Sequence, residues 1–293
     1  MVYEEIAANR RRSIVLVFIF VVFLLFLGWI FGEVYGAGQE GVLIALMITL
    51  FISLITFFYG DKMVLGISHA RPVDRKKNPY LANVVEGLAI AAGIPAPKAY
   101  IIQDSAPNAF ATGRDPKNSS IAVTTGLLEK LNRLELEGVI AHEMSHIKNY
   151  DIRYAMLVAI MVGTVALLSD WMRRSFFYRG RRRKRGAGGG IIILIALVLA
   201  ILAPIVAQLI RLAISRQREY LADANGALLT RYPEGLASAL EKISKDTEPL
   251  EVANKATAHL YIVNPLLEHR GKLNTLFSTH PPAEERIARL RTM

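Results

Sequence analysis

The sequence predicts an α-helical integral membrane protein: apolar runs long enough to give four transmembrane helices, wrapped around a mainly α, α+β soluble domain. Three observations predict it. Of the 293 residues 53% are hydrophobic and only 20% charged, too apolar for a soluble chain of this size. The apolar residues are bunched into charge-free runs instead of recurring at helix or strand period. Between and after those runs, periodic patterns and turn residues return. Intrinsic disorder is excluded by the same composition. The absence of cysteine excludes a disulfide scaffold, a thiolate metal site and a cysteine nucleophile, so any metal falls to His, Asp or Glu. The net charge of +10 gathers beside the apolar runs, where it meets anionic lipid head groups and calls for no nucleic acid.

Four segments follow in order. Residues 1–60 form an N-terminal transmembrane hairpin, because Ile14–Phe31 and Gly41–Tyr59 carry no charge and each approaches the roughly 20 residues needed to cross a bilayer. No A-x-A site follows the first run, so it is read as a retained anchor. Arg10, Arg11 and Arg12 precede the hairpin and Lys62, Arg71, Arg75, Lys76 and Lys77 follow it, while its connecting loop holds only Glu33 and Glu40. The positive-inside rule then places both ends in the cytoplasm.

Residues 61–151 begin the soluble domain. Asn78-Pro79 opens a helix that Leu81, Val84, Val85, Leu88 and Ala92 continue and Gly93 with Pro95 ends. Strand-like runs occupy Ala99–Gln103 and Ser120–Thr124, and a capping box of Asn132 with Glu135 starts a helix running through His146. Residues 152–210 hold two further runs, Ala155–Ser169 and Gly186–Ile210, around a loop with eight basic residues from Arg173 to Arg185. If both runs span, that loop breaks the positive-inside rule, so the rival reading is a hairpin that dips only part way. Residues 211–293 return to amphipathic helical texture.

His142-Glu143-Met144-Ser145-His146 is an H-E-x-x-H sequence, which on a helix sets two imidazoles one turn apart on one face, where both can hold one ion. Glu143 sits about 100° round the helix and suits a general base. A chance match on a charged helix is the plain alternative. A catalytic zinc needs a third protein ligand. The extension that would supply a third His is missing, with Asn149 and Ile152 at the required positions. Glu219 and Asp223, at i and i+4, remain: Glu219 as third ligand, Asp223 as hydrogen-bond acceptor from a ligating His. A solvated face pairing with Arg216 or Arg218 is their bland reading. Asn108 after Pro107 reads as a turn residue and His280 before two prolines as a helix entry. His69, His259 and His269 read as surface or packing residues.

The chain resembles the HtpX-type membrane zinc endopeptidases, relatives of the CAAX prenyl proteases. The likeness rests on the N-terminal hairpin, Pro107–Gly113, the metal helix with Asp151 beyond it, Glu219–Asp223, and Ser278-Thr279-His280-Pro281-Pro282 followed by Arg286. It implies a gluzincin-type metalloprotease fold, one Zn²⁺ per subunit on His142, His146 and Glu219, and Glu143 as base. It further implies that His280 donates to the oxyanion of the tetrahedral intermediate, that Arg286 clamps substrate or a carboxylate, and that Asn108 belongs to an edge strand gripping the substrate backbone. The substrates implied are protein or peptide segments, unfolded or misfolded membrane proteins in quality control. The site implied is a multi-pass protein of the inner (plasma) membrane with its catalytic domain in the cytoplasm. A non-proteolytic metal-binding scaffold or transporter is the alternative; the four apolar runs, free of Asp, Glu, Lys, Arg and His, argue against a transport path.

Overall fold

The computed structural model describes residues 2–35, 38–180, 216–253, 256–263, 265 and 281–293. His280, the run Gly186–Ile210 and the basic residues Arg181–Arg185 lie outside them. Helix α1, Val2–Tyr35, and α2, Gly38–Ile67, pack as an antiparallel pair whose outer faces expose large apolar side chains such as Phe18 and Phe51. Among the described residues one stretch, Leu46–Ile67, is long and apolar enough to cross a membrane. The inner face of α1 is a stripe at helical spacing, Asn9, Ser13, Leu16 and Phe20, all buried.

Next come strand β1 (Arg71–Pro72), α3 (Pro79–Ala92), β2 (Lys98–Ile102), β3 (Ala109–Asp115) and β4 (Asn118–Thr124). Pro79 at the first helical position and Gly93 in the left-handed region (φ 68°) bound α3, as the sequence punctuation requires. The strands form one sheet in the order β1-β2-β4-β3, with β2 parallel to β4 and β3 antiparallel to it, so β3 is an edge. Alternation divides its side chains. Ala109, Ala111, Ile121 and Val123 face a core shared with α3 and the helices beyond, whereas Phe110, Ala122 and Ile102 face Val64, Leu65, Met156 and Tyr261. Helix α2 thus joins the sheet through a packed core as well as through the chain.

After α4 (Thr125–Lys130), α5 (Arg133–Lys148) starts with the capping box of Asn132 and Glu135 in both directions. Its successor α6 (Asp151–Gly180) is 30 residues, about 45 Å at 1.5 Å per residue, so it absorbs the third apolar run and is long enough to span. The last described elements are α7 (Arg216–Thr230), α8 (Pro233–Lys245), a 3₁₀ turn at Ala258–Leu260 and α9 (Ala283–Leu290).

Candidate metal centre and active site

Helix α5 brings the H-E-x-x-H residues to the middle of the domain, where all three of His142, Glu143 and Ser145 are buried. Helix α7 lies against it at Gly226, where a Cβ would stand 3.1 Å from the His142 nitrogen and 3.3 Å from its Cα. That close approach sets Asp223 and Glu219, one and two turns earlier on α7, opposite the two imidazoles.

The geometry converges. His142 Nε2 and His146 Nε2 are 3.1 Å apart, His142 Nε2 lies 3.7 Å from Glu219 Oε2, and His146 Nε2 lies 3.5 Å from Glu219 Oε1. Donors about 2.0–2.1 Å from a tetrahedral zinc stand about 3.3 Å from one another, close to these three edges. One donor atom from each residue falls within 4.8 Å of the other two. The far ring nitrogens are spoken for: His142 Nδ1 is 2.9 Å from Asp223 Oδ1 and His146 Nδ1 is 3.0 Å from Asp151 Oδ2. A carboxylate only accepts, so each Nδ1 carries the proton and each Nε2 lone pair points into the cluster. Lone pairs facing at this distance repel unless a proton or a cation lies between them, and the donor set therefore fits a divalent metal.

Titration follows the same contacts. Burial lowers the pKa of His142 to about 4, despite its bond to Asp223. Burial also works against His146, but the carboxylates of Asp151 and Glu219 outweigh it and raise His146 to about 9. Burial raises Glu143 to about 7, opposed by His146 and by a backbone hydrogen bond from Ala111. Asp223 is also penalised by burial, yet the Arg286 charge and the His142 hydrogen bond hold it down at about 2.

Two other expected residues, Arg286 and Asn108, are bonded to groups of the protein itself. Arg286 is fully buried; it donates from Nε and Nη2 to Asp223 at 2.9 and 2.7 Å and from Nη1 to the Ile262 carbonyl at 3.1 Å. The carboxylate it clamps is that of Asp223, within the protein itself. Asn108 precedes edge strand β3 as expected, but its side chain donates to the Val263 carbonyl and accepts from Ala109 N–H, while the Ala109 carbonyl accepts from Ile262 N–H. The start of that edge is therefore taken by residues 262–263.

Four further residues, Asp151, Asn9, Arg218 and His259, are given no role at the site by the sequence. Asp151 stands at the top of α6 because the chain bends 85° between α5 and α6, with Tyr150 in the left-handed region at φ 62°. That conformation costs a non-glycine residue about 1–2 kcal/mol. The Arg10 and Arg153 guanidinium groups lie 4.6 and 5.2 Å from the centre of the Tyr150 ring and hold the turn. Asn9 of α1 donates to Asp151 Oδ1 at 2.7 Å and to the Asn149 carbonyl at 3.0 Å, and Arg218 Nη1 lies 3.5 Å from the same Asp151 oxygen. His259, read as a surface or packing residue, is buried in the wall of the cleft with Leu260 and Ile262, its Nε2 3.0 Å from the Ala155 carbonyl.

Comparison with known proteins agrees with this chemistry. The "Protease HtpX homolog" of Dictyoglomus thermophilum is 52% identical over 291 residues, covering 99% of this chain and 94% of that protein. Proteins of the same name from Tropheryma whipplei and Listeria monocytogenes are 45% and 46% identical, covering the whole chain and 99% and 100% of theirs. The crystal structure of S. mikatae Ste24p matches 98% of this chain and 67% of its own, with a TM-score of 0.51 at 21% identity, a likeness of fold. Residues 75–293 match Peptidase family M48. The chain belongs to peptidase family M48 and is a metal-dependent peptidase acting on protein substrates.

Proposed function

We propose that the protein is a membrane-anchored zinc endopeptidase that cleaves unfolded or misfolded membrane proteins at the cytoplasmic face of the plasma membrane. The observation that carries this reading is the pair of Nε2 atoms turned toward Glu219, each ring fixed by its own carboxylate, with buried Glu143 on the next side of the same helix. His142, His146 and Glu219 would hold the ion. When bound, zinc supplies Lewis-acid polarisation of a water and of the scissile carbonyl. Glu143 takes the proton as the water oxygen bonds to the carbonyl carbon, then delivers it to the amine nitrogen as the C–N bond breaks. Asp223 and Asp151 keep the imidazoles in one tautomer, and Arg286 keeps Asp223 charged. His280 is assigned to the oxyanion. A scaffold or translocation site has no use for a buried carboxylate at position 143 that ligates nothing.

Backbone groups of β3 beyond Ala111 would bind an extended substrate, which favours unfolded segments over particular side chains. The exposed apolar surface of α1 and α2, the length of α6 and the uncharged run Gly186–Ile210 support four spans, two in residues 1–60 and two in residues 152–210, with residues 61–151 and 211–293 forming the two parts of the catalytic domain. The test is casein digestion by the purified full chain, before chelation, after it, and after restoring zinc. Cleavage that survives removal of all metal would overturn the assignment.

A further inference from the structure

A groove of about 260 Å³ runs between α1, α2 and α6, away from the metal centre. Its walls are Val17 and Phe20 of α1, Ile52 and Phe57 of α2, and Leu157 and Met161 of α6. Two arginines close one end, Arg153 a turn before Leu157 and Arg114 at the end of β3. Both are held in place. The Arg114 guanidinium lies over the rings of Phe57 and Phe58 at 5.4 and 5.2 Å, and Arg153 donates from Nε to the Arg114 carbonyl at 2.5 Å. Asp115, 3.5 Å from Arg114 Nε, is the carboxylate that acts on both, and Arg10 adds a third cation beside Arg153. Among the described residues no hydrogen-bond acceptor is placed on the terminal nitrogens of either arginine.

An apolar slot capped by two oriented guanidinium forks, with three cations against one carboxylate, is complementary to an amphiphile with an anionic head. We propose that the groove binds one anionic phospholipid of the bilayer, an acyl chain between α1, α2 and α6 and the phosphate on Arg114 and Arg153. Guanidinium groups pair with phosphate oxygens two at a time, which a point cation cannot do. A zwitterionic lipid offers the same phosphate but brings a quaternary ammonium into a cationic cluster, so the site discriminates by net charge. The level is right, because Arg10–Arg12 mark the cytoplasmic end of α1, where head groups lie. The assignment rests on the membrane reading above.

The test uses the full chain in detergent micelles, with native mass spectrometry after adding phosphatidylglycerol or phosphatidylcholine of identical acyl chains. One phosphatidylglycerol should be retained per chain, with roughly tenfold preference, the scale of one like-charge contact between the quaternary ammonium and the arginines near the protein surface. Arg114→Gln with Arg153→Gln should abolish the preference. Ile52→Trp, which fills the slot and leaves both arginines, should reduce retention of either lipid, and Arg75→Gln, an exposed residue paired with Glu86, should change nothing. Phosphatidylglycerol should raise Tm in wild type, and inorganic phosphate at the same concentration should not. Equal retention of the two lipids, retention untouched in both groove variants, or an equal Tm rise with inorganic phosphate would each overturn the proposal. A chain that stays soluble and monodisperse without detergent would overturn the membrane reading instead.

Discussion

Arg286 grips both oxygens of Asp223, at 2.9 and 2.7 Å, and Asp223 passes that order to His142 Nδ1 at 2.9 Å. All three groups are buried, so the clasp works where water cannot replace a missing partner. Arg286→Ala leaves a buried carboxylate short of its counter-charge and should cost about 3–5 kcal/mol in chemical denaturation. Arg286→Lys should recover part of this, since it restores charge but not the paired geometry. A loss under about 1 kcal/mol for the alanine variant, the scale of a surface pair, would show that Asp223 is held by something else.

Glu143→Gln keeps all three donor residues and removes the base. Zinc content measured on the same sample as casein cleavage should stay near one per chain while the rate falls by roughly 10²–10⁴-fold. Near wild-type cleavage would take Glu143 out of the mechanism.

Glu219→Ala and Asp223→Asn should separate ligand from orienting group. The first should strip most of the metal; the second should leave it bound with affinity or rate lower by about 10–100-fold. Zinc lost from the Asp223 variant and retained by the Glu219 variant would mean that the two roles are exchanged.

Asn9→Ala removes the 2.7 Å bond to Asp151 across 142 residues of sequence while leaving every donor to the ion in place. Zinc affinity, read by competition with a chromophoric chelator, should fall by about tenfold, the low end for an outer hydrogen-bond partner of a ligating His. Asn9→Asp, which sets carboxylate against carboxylate, should fall further. Unchanged affinity in both would confine Asn9 to packing.

Topology can be read by single cysteines, since the native chain has none. Lys76 and Glu284 are exposed on the soluble domain, and cysteines there should resist an impermeant reagent in intact cells. A cysteine at Glu40, exposed at the start of α2, should react. Ser175 lies 24 residues beyond Asp151 in the unbroken helix α6, about 36 Å along its axis, so a cysteine there should react too. Protection at 175 would favour a partly inserted hairpin; labelling at 76 or 284 would reverse the orientation.

Much of the frame is legible in sequence because its signals are local. Asn78-Pro79 and Gly93 bound α3 as read, and the Asn132–Glu135 box opens α5. Strand β3 escapes a count of alternating hydrophobics because Thr112, Gly113 and Arg114 interrupt it, and it is held by its pairing with β4. Asp170, Arg173 and Arg174 end the third apolar run in composition, yet nothing there interrupts the helical backbone. In the site, the i, i+4 spacings place His142 beside His146 and Glu219 beside Asp223. No local spacing points to Asn9, Arg218 or His259, whose partners are brought near only by the fold. Nor does sequence reveal that Tyr150 adopts a left-handed turn, which is what returns Asp151 to His146.

The Asn9 contact also ties catalysis to the order in which the molecule is made. Asn9 reaches Asp151 only when α1 lies along α6, and α1 is synthesised long before α6, α7 and the third donor on it. The first helix is therefore complete before the elements it packs against exist. A chain whose first helix has not docked holds His146 on a carboxylate missing one of its struts. The first helix of the chain is in this way one bond removed from a nitrogen-bearing ring of the metal centre.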